Sequence, residues 1–251
     1  MRLICLNTWG GKLYLQFSSF LEPFQKTTDL FCFQEVFTYP QTSAFKTGDP
    51  ERVADLYERL VRQLRGFKGY LAEPYTSFGE RLALFARDSI KIDDYGDMEL
   101  YHQREVVVDE ERFSVGSRLQ WVRFRHHNNK SFTVANTHGM WLPSGKDDSP
   151  ERLTQSENIV KFVTDKEGAK IICGDFNLLP QTRCINMLEQ NLRNLIWDYA
   201  ITSTRSSHYS PKKEKFADYI FTSADVKVLD FRVLEDEVSD HLPLLLEFDL
   251  C

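Results

Sequence analysis

Short runs of strand length return from one end of this chain to the other, and most of them stop at a polar residue. They are RLICLNTW (2–9), DLFCFQEV (29–36), RLALFAR (81–87), RLQWVRFRH (118–126), SFTVANTH (131–138), KIICGDF (170–176), ADYIFTS (217–223), VKVLDFRVL (226–234) and LPLLLEFDL (242–250). In 118–126, Trp121, Arg123 and Arg125 lie on one face and Val122 and Phe124 on the other, the period-two pattern of a half-buried strand. Other runs are apolar nearly throughout, as in sheets covered on both faces. Only a fold made mainly of sheet accommodates so many of them.

Helical periodicity appears between the runs. In 50–66, Val53, Leu56, Tyr57, Leu60 and Leu64 form one stripe closed by Gly66. Segment 149–168 opens with Ser149 as N-cap and Pro150 at the first helical position, and it ends at Gly168. Segment 185–195 aligns Ile185, Leu188, Leu192 and Leu195, and a further helix is expected over 14–27. No repeat, low-complexity tract or shift in composition divides the chain. One α/β domain over residues 1–251 is expected, its sheets enclosed between helical layers.

Composition narrows the function. With 42% hydrophobic and 27% charged residues, the chain has the make-up of a globular protein with a substantial core. A net charge of −6 argues against a surface that grips long duplex DNA, which needs many cationic phosphate contacts. The five cysteines lack zinc-type spacing, and Cys5, Cys32 and Cys173 sit in apolar runs, which suits a reducing compartment. The opening MRLICLN is too short in its apolar part for a signal peptide, and no run reaches membrane-spanning length. A cytoplasmic monomer without stable membrane insertion is the expectation. Loops 38–49, 141–149 and 203–215 would carry specificity; the last holds Arg205, Lys212, Lys213 and Lys215, suited to an anionic ligand or to simple solvation.

The polar residues at the strand ends form a set. Asn7 ends the first run and Glu35 the second; His138 ends FTVANTH, and Asp175 with Asn177 ends IICGDFN. Asp218 begins ADYIF, and Asp240 with His241 precedes the last run in SDHLP. Singly, each has an ordinary explanation in turn chemistry or as a satisfied interior histidine. Together, on strands that lie side by side, they would converge on one rim.

The ordered series LNTW, QE, ERLALF, NTH, GDFN, DYIF and SDHLP resembles the endonuclease/exonuclease/phosphatase superfamily, the DNase I-like group, over Asn7 to Pro243. The resemblance implies a four-layer α/β/β/α sandwich with two packed mixed β-sheets, and metal-dependent hydrolysis of a phosphate ester. It implies Glu35 as main ligand of Mg²⁺ or Mn²⁺, supported by Asn7, with Asp240 close by. It implies that Asp175 orients and deprotonates the attacking water, with Asn177 holding the phosphate or that aspartate. His241, its ring held by Asp218, and His138 would stabilise the phosphoryl oxygens. Glu80 matches an acid that pairs with His138, although an ion pair with the adjacent Arg81 is the simpler alternative. Trp9 stands where some members carry an acid.

Within this reading the substrate is a nucleic acid (single-stranded in particular) or nucleotide, or else a lipid or small-molecule phosphate ester. Trp9, Tyr14, Trp141 and Tyr209 are candidates for stacking, with ordinary packing favoured for Tyr14 and Tyr209. A non-catalytic binding protein on the same fold is the alternative from another class. A zinc hydrolase fits poorly, because His126 and His127 are neighbours on a strand and point to opposite faces.

Overall fold

A computed structural model describes residues 1–38, 51–108, 111–125, 130–210 and 214–250. The first sheet contains β1 (Arg2–Asn7), β2 (Leu30–Val36), β3 (Phe67–Leu71), β4 (Arg81–Arg87), β11 (Val226–Val233) and β12 (Leu244–Leu250). The second contains β5 (Lys91–Val108), β6 (Glu111–Arg125), β7 (Ser131–His138), β8 (Ala169–Asp175), β9 (Arg193–Asn194) and β10 (Asp218–Thr222). The strand orders are β11-β12-β1-β2-β4-β3 and β5-β6-β7-β8-β10-β9. Each sheet is mixed: β1 and β2 run parallel in one and β7 and β8 in the other, while the remaining pairs are antiparallel.

Alternation along the strands builds the layers. Leu3 and Cys5, Leu30 and Cys32, and Leu84 and Ala86 face the core shared with the second sheet. Their neighbours Ile4 and Leu6, Phe31 and Phe33, and Ala83 and Phe85 face outward onto α1 (Tyr14–Phe24) and α2 (Leu56–Gln63). The helices α3 (Pro150–Asp165), α4 (Arg183–Glu189) and α5 (Leu195–Asp198) cover the second sheet. This is the four-layer α/β/β/α sandwich, and each fully buried large side chain in it contributes about 1.5–3 kcal/mol.

The elements depart from the expected ones in instructive ways. Ser149 caps α3 as expected, accepting from Arg152 N at 3.3 Å. The helix expected over 50–66 is only Leu56–Gln63, because Val53 N donates to Gly10 O at 2.8 Å and Arg52 pairs with Glu80. The segment expected as one helix over 185–195 is divided. Its first part begins earlier, with the Thr182 side chain accepting from Ile185 N, and Arg193–Asn194 then leave the helix to pair with β10. The strand β5 was not expected at all. Its KIDDYGD opening is poor in strand formers, and it is held by pairing with β6 from Lys91↔Arg125 to Val108↔Glu111. No helix among the described residues is long and apolar enough to cross a membrane. Loop residues 39–49, the histidines 126 and 127 and the lysines 212 and 213 lie outside the described residues.

Candidate active site

Strand register brings the polar ends together. Asn7 pairs with Gln34 across β1 and β2, which puts Glu35 beside it. In the second sheet Asp175 is in register with His138 on one side and with Asp218 on the other. Because β12 runs antiparallel to β1, with Cys5 opposite Leu244, the residues just before β12 return to the same rim. Arg205 forms a bridge with His241 and draws the 203–210 segment over them. The result is a pocket of about 300 Å³ whose lining includes Glu35, His138, Asp175, Asn177, Asp240 and His241.

The local backbone is shaped for the task. Gly174 has φ +143°, and a Cβ there would stand 2.0 Å from Thr137 O, so only glycine lets β8 approach β7 this closely just before Asp175. Trp9, Glu35 and Asn177 all adopt positive φ near +50°, an uncommon conformation for residues with side chains. In Glu35 it turns the carboxylate out of the β2 ladder, where the pairing with β4 shifts between Phe33 and Val36, and Glu35 N donates to the buried Tyr75 hydroxyl at 3.1 Å.

Asp175 is 2% exposed and locked. Its Oδ1 accepts from Asn177 N at 2.8 Å and its Oδ2 from Asn7 Nδ2 at 3.1 Å. His241 Nε2 lies 3.5 Å and His138 Nε2 3.8 Å from the same Oδ2. Burial opposes ionisation, yet His241, Lys146, His138 and Arg205 outweigh it and hold the carboxyl far below the usual aspartate range.

His241 is 3% exposed, and its Nδ1 is 2.8 and 2.9 Å from the two Asp218 oxygens. Burial and Arg205 work against the imidazolium, but Asp218, Asp240 and Asp175 overcome them and raise its pKa. Thr204 Oγ1 donates to Asp218 Oδ2 at 2.9 Å and fixes that acid in turn. His138 stacks on Tyr75 with ring centroids 4.7 Å apart, and neither of its ring nitrogens has a hydrogen-bond partner among the described residues. Burial pulls its pKa down, while Glu35, Asp175 and Glu80 carry it above the ordinary value.

Glu80 lines the same pocket, but its hydrogen-bond partner is Arg52 at 2.7 Å. Arg81, the sequence neighbour weighed as its partner, bonds Ala72 O and lies near Glu73 instead. Of the aromatics, Trp9, Trp141 and Tyr209 line the pocket. Tyr14 lies away from it, its ring under Arg59 at 4.8 Å. Tyr209 packs under Arg205 at 3.9 Å and bonds Glu214. Lys215 is exposed and borders a neighbouring depression.

Three cations of the pocket are additional to the set read from the sequence. Arg205 was legible only as part of a basic loop; its guanidinium is 3.3 Å from Asp240 Oδ2 and lies against His241 Nε2. Arg52, within the segment expected as a helix over 50–66, pairs with Glu80. Lys146, within the 141–149 loop, is 5% exposed and donates to Asn177 Oδ1 at 2.6 Å. No local pattern marks either of these two.

The acidic corner fits a hard cation. Glu35 Oε2 is buried without a hydrogen-bond partner among the described residues, while Oε1 accepts from Asn7 Nδ2 at 2.9 Å. Burial works against the Glu35 anion, but His138, Arg52 and Asn7 keep its pKa down at about 2, so an oxygen ligand is available at any working pH. Asp240 lines the same corner. Asp175, Asp218 and His241 also gather within 4.8 Å, but Nδ1 of that histidine is already engaged by Asp218.

The profile of the Endonuclease/Exonuclease/phosphatase family matches residues 5–241. The structure is similar to a mannosyl-6-phosphatase of Bacteroides thetaiotaomicron VPI-5482, with TM-score 0.75, 17% identity and 100% of both chains covered. It is also similar to the human Nocturnin catalytic domain with bound sulfate (TM-score 0.70, 17% identity, 100% of this chain and 93% of the other). A third likeness is to ANGEL2, a 2′,3′-cyclic phosphatase (TM-score 0.67, 17% identity, 99% and 95% covered). Among curated proteins no sequence matches. With the profile spanning both sheets and every strand-end residue of the rim, the chain belongs to the endonuclease/exonuclease/phosphatase family, whose members hydrolyse phosphate esters.

Proposed function

We propose that this protein is a divalent-metal-dependent phosphoesterase working by in-line attack of water. The observation that carries the reading is the meeting of Asp175, His241, His138 and Glu35 in one buried pocket. Glu35, with Asn7 and Asp240, would hold Mg²⁺ or Mn²⁺, which when bound supplies Lewis-acid stabilisation of charge on the phosphoryl and leaving oxygens.

Asp175, ionised and held by Asn7 and Asn177, aligns a water on the face of phosphorus opposite the leaving oxygen. As the new P–O bond forms, the water proton passes to Asp175. The bond to the leaving oxygen breaks with its electron pair staying on that oxygen. His241, kept protonated by Asp218, donates to a non-bridging oxygen, and His138 does the same from the Tyr75 side. Arg205, lying against His241 Nε2, adds a second cation at that edge of the pocket.

The test is hydrolysis of p-nitrophenyl phosphate and bis-p-nitrophenyl phosphate with Mg²⁺, Mn²⁺ or EDTA, on wild type, Asp175→Asn and His241→Ala. Turnover is expected to vanish with EDTA and to fall about 10²–10⁴-fold in each variant with the fold intact. Near-normal turnover in either variant removes the role assigned to that residue.

A further inference from the structure

Among the described residues, Lys146 is the pocket's lysine or arginine with no carboxylate in direct ion-pair contact, although its charge acts on nearby Asp175. Arg52 is paired with Glu80 and Arg205 with Asp240. Lys146 is 5% exposed, and the one hydrogen bond of its ammonium among the described residues goes to the neutral Asn177 amide oxygen. An ammonium carries three donors, so a desolvated one with a single neutral acceptor is costly unless a ligand completes it.

The placement is built, not incidental. Arg152, 1% exposed, donates to Gly145 O and Asp147 O at 2.7 Å each, clamping the backbone on both sides of Lys146. Leu179 N donates to Lys146 O at 3.0 Å and ties the same residue to the loop that follows Asn177. So the ammonium is fixed relative to Asp175 and Asn177 before any ligand arrives.

We infer that Lys146 is the counter-ion for a terminal phosphate, and that the substrate is a small phosphate monoester. This rests on the phosphoesterase reading and narrows it. A diester offers two non-bridging oxygens, and the two histidines already answer those. A terminal phosphate offers a third, with a second negative charge, and Lys146 supplies the further donor. The size agrees: about 300 Å³ is at the small end of ligand pockets, room for a phosphate and one ring. Trp9, Phe78 and Trp141 contribute aromatic surface to the lining, which suits the ring of a sugar or of a nucleoside base.

The experiment compares wild type with Lys146→Gln, which keeps a donor for Asn177 without the charge, and Lys146→Arg, which keeps the charge. Three readings are taken: kcat/KM on p-nitrophenyl phosphate and on bis-p-nitrophenyl phosphate, calorimetric binding of inorganic phosphate, and the melting temperature. Wild type should prefer the monoester. Lys146→Gln should lose about 10- to 100-fold on the monoester, mostly in KM, and bind phosphate correspondingly more weakly, with a few-fold change on the diester. Lys146→Arg should recover part of both. A diester-preferring wild type, or a Lys146→Gln variant with unchanged phosphate affinity, overturns the inference. A wild type that hydrolyses neither ester sinks the phosphoesterase reading, and the phosphate titration then decides the role of Lys146 by itself. Glucose 6-phosphate and adenosine 5′-monophosphate as alternative substrates separate sugar from nucleoside.

Discussion

Gln34 Nε2 on β2 donates to Asn136 Oδ1 on β7 at 2.5 Å, joining the two sheets directly beneath the site. Both residues are fully buried, and Asn136 Nδ2 reaches back to Phe33 O at 3.0 Å. One partner is next to Glu35 and the other two residues before His138, so this link sets the spacing between the acidic corner and that histidine. Gln34→Leu and Asn136→Leu should each lose about 1–3 kcal/mol of stability, since each strands a buried polar group. The double variant should lose less than the sum, as read from urea unfolding. Strict additivity would show that the two amides do not act as a unit.

The unpartnered Glu35 Oε2 makes a prediction about cation binding alone. Calorimetric titration of Glu35→Ala with Mg²⁺ should show binding lost while the melting temperature stays within a few degrees of wild type. Undiminished Mg²⁺ binding would place the cation elsewhere.

Arg152 answers three carbonyls, Met140 O, Asp147 O and Gly145 O, from inside the fold. Arg152→Met leaves them without their donor and should cost about 3 kcal/mol or more. Because the loop it clamps carries Lys146, KM for a phosphate ester should rise more than kcat falls. Lys at this position keeps the charge without the planar fork and should restore only part of the stability.

Asp148 gives a pH dependence remote from the chemistry. Its carboxylate accepts from Arg183 N and Cys184 N, both at 2.9 Å, at the start of α4. Partial burial works against the anion, but these bonds outweigh it and lower the pKa. A depressed carboxylate contributes stability above its unfolded pKa of about 3.9, and that contribution disappears as pH falls through the folded value. Asp148→Asn should therefore be less stable than wild type at neutral pH and indistinguishable from it in strong acid. Melting curves from pH 7 downward check this: the gap should narrow as pH falls below about 3.9, and a gap that does not narrow at all in acid would assign the effect to geometry and not to charge.

Much of the rim could be read directly because its residues sit where local pattern is strongest. A buried strand announces itself by apolar composition, so the Asp175 of IICGDFN and the His138 of FTVANTH stand out at the ends of such runs. Ser149 and Pro150 likewise mark the start of α3 whatever surrounds them. Lys146, Arg52 and the bond between Glu80 and Arg52 had no such signal. A lysine flanked by glycine and aspartate reads the same whether it is solvated or buried.

By itself, then, the order of apolar runs and polar stops determined the layers, the strand faces and the residues carried to the strand ends, because burial imposes a period that local sequence must obey. Tertiary structure alone decided which loop cations join those residues, where α2 begins and that KIDDYGD becomes a strand. Each of these depends on partners distant in the chain, and the energy of burying a charge or pairing an edge exists only once those partners are in place.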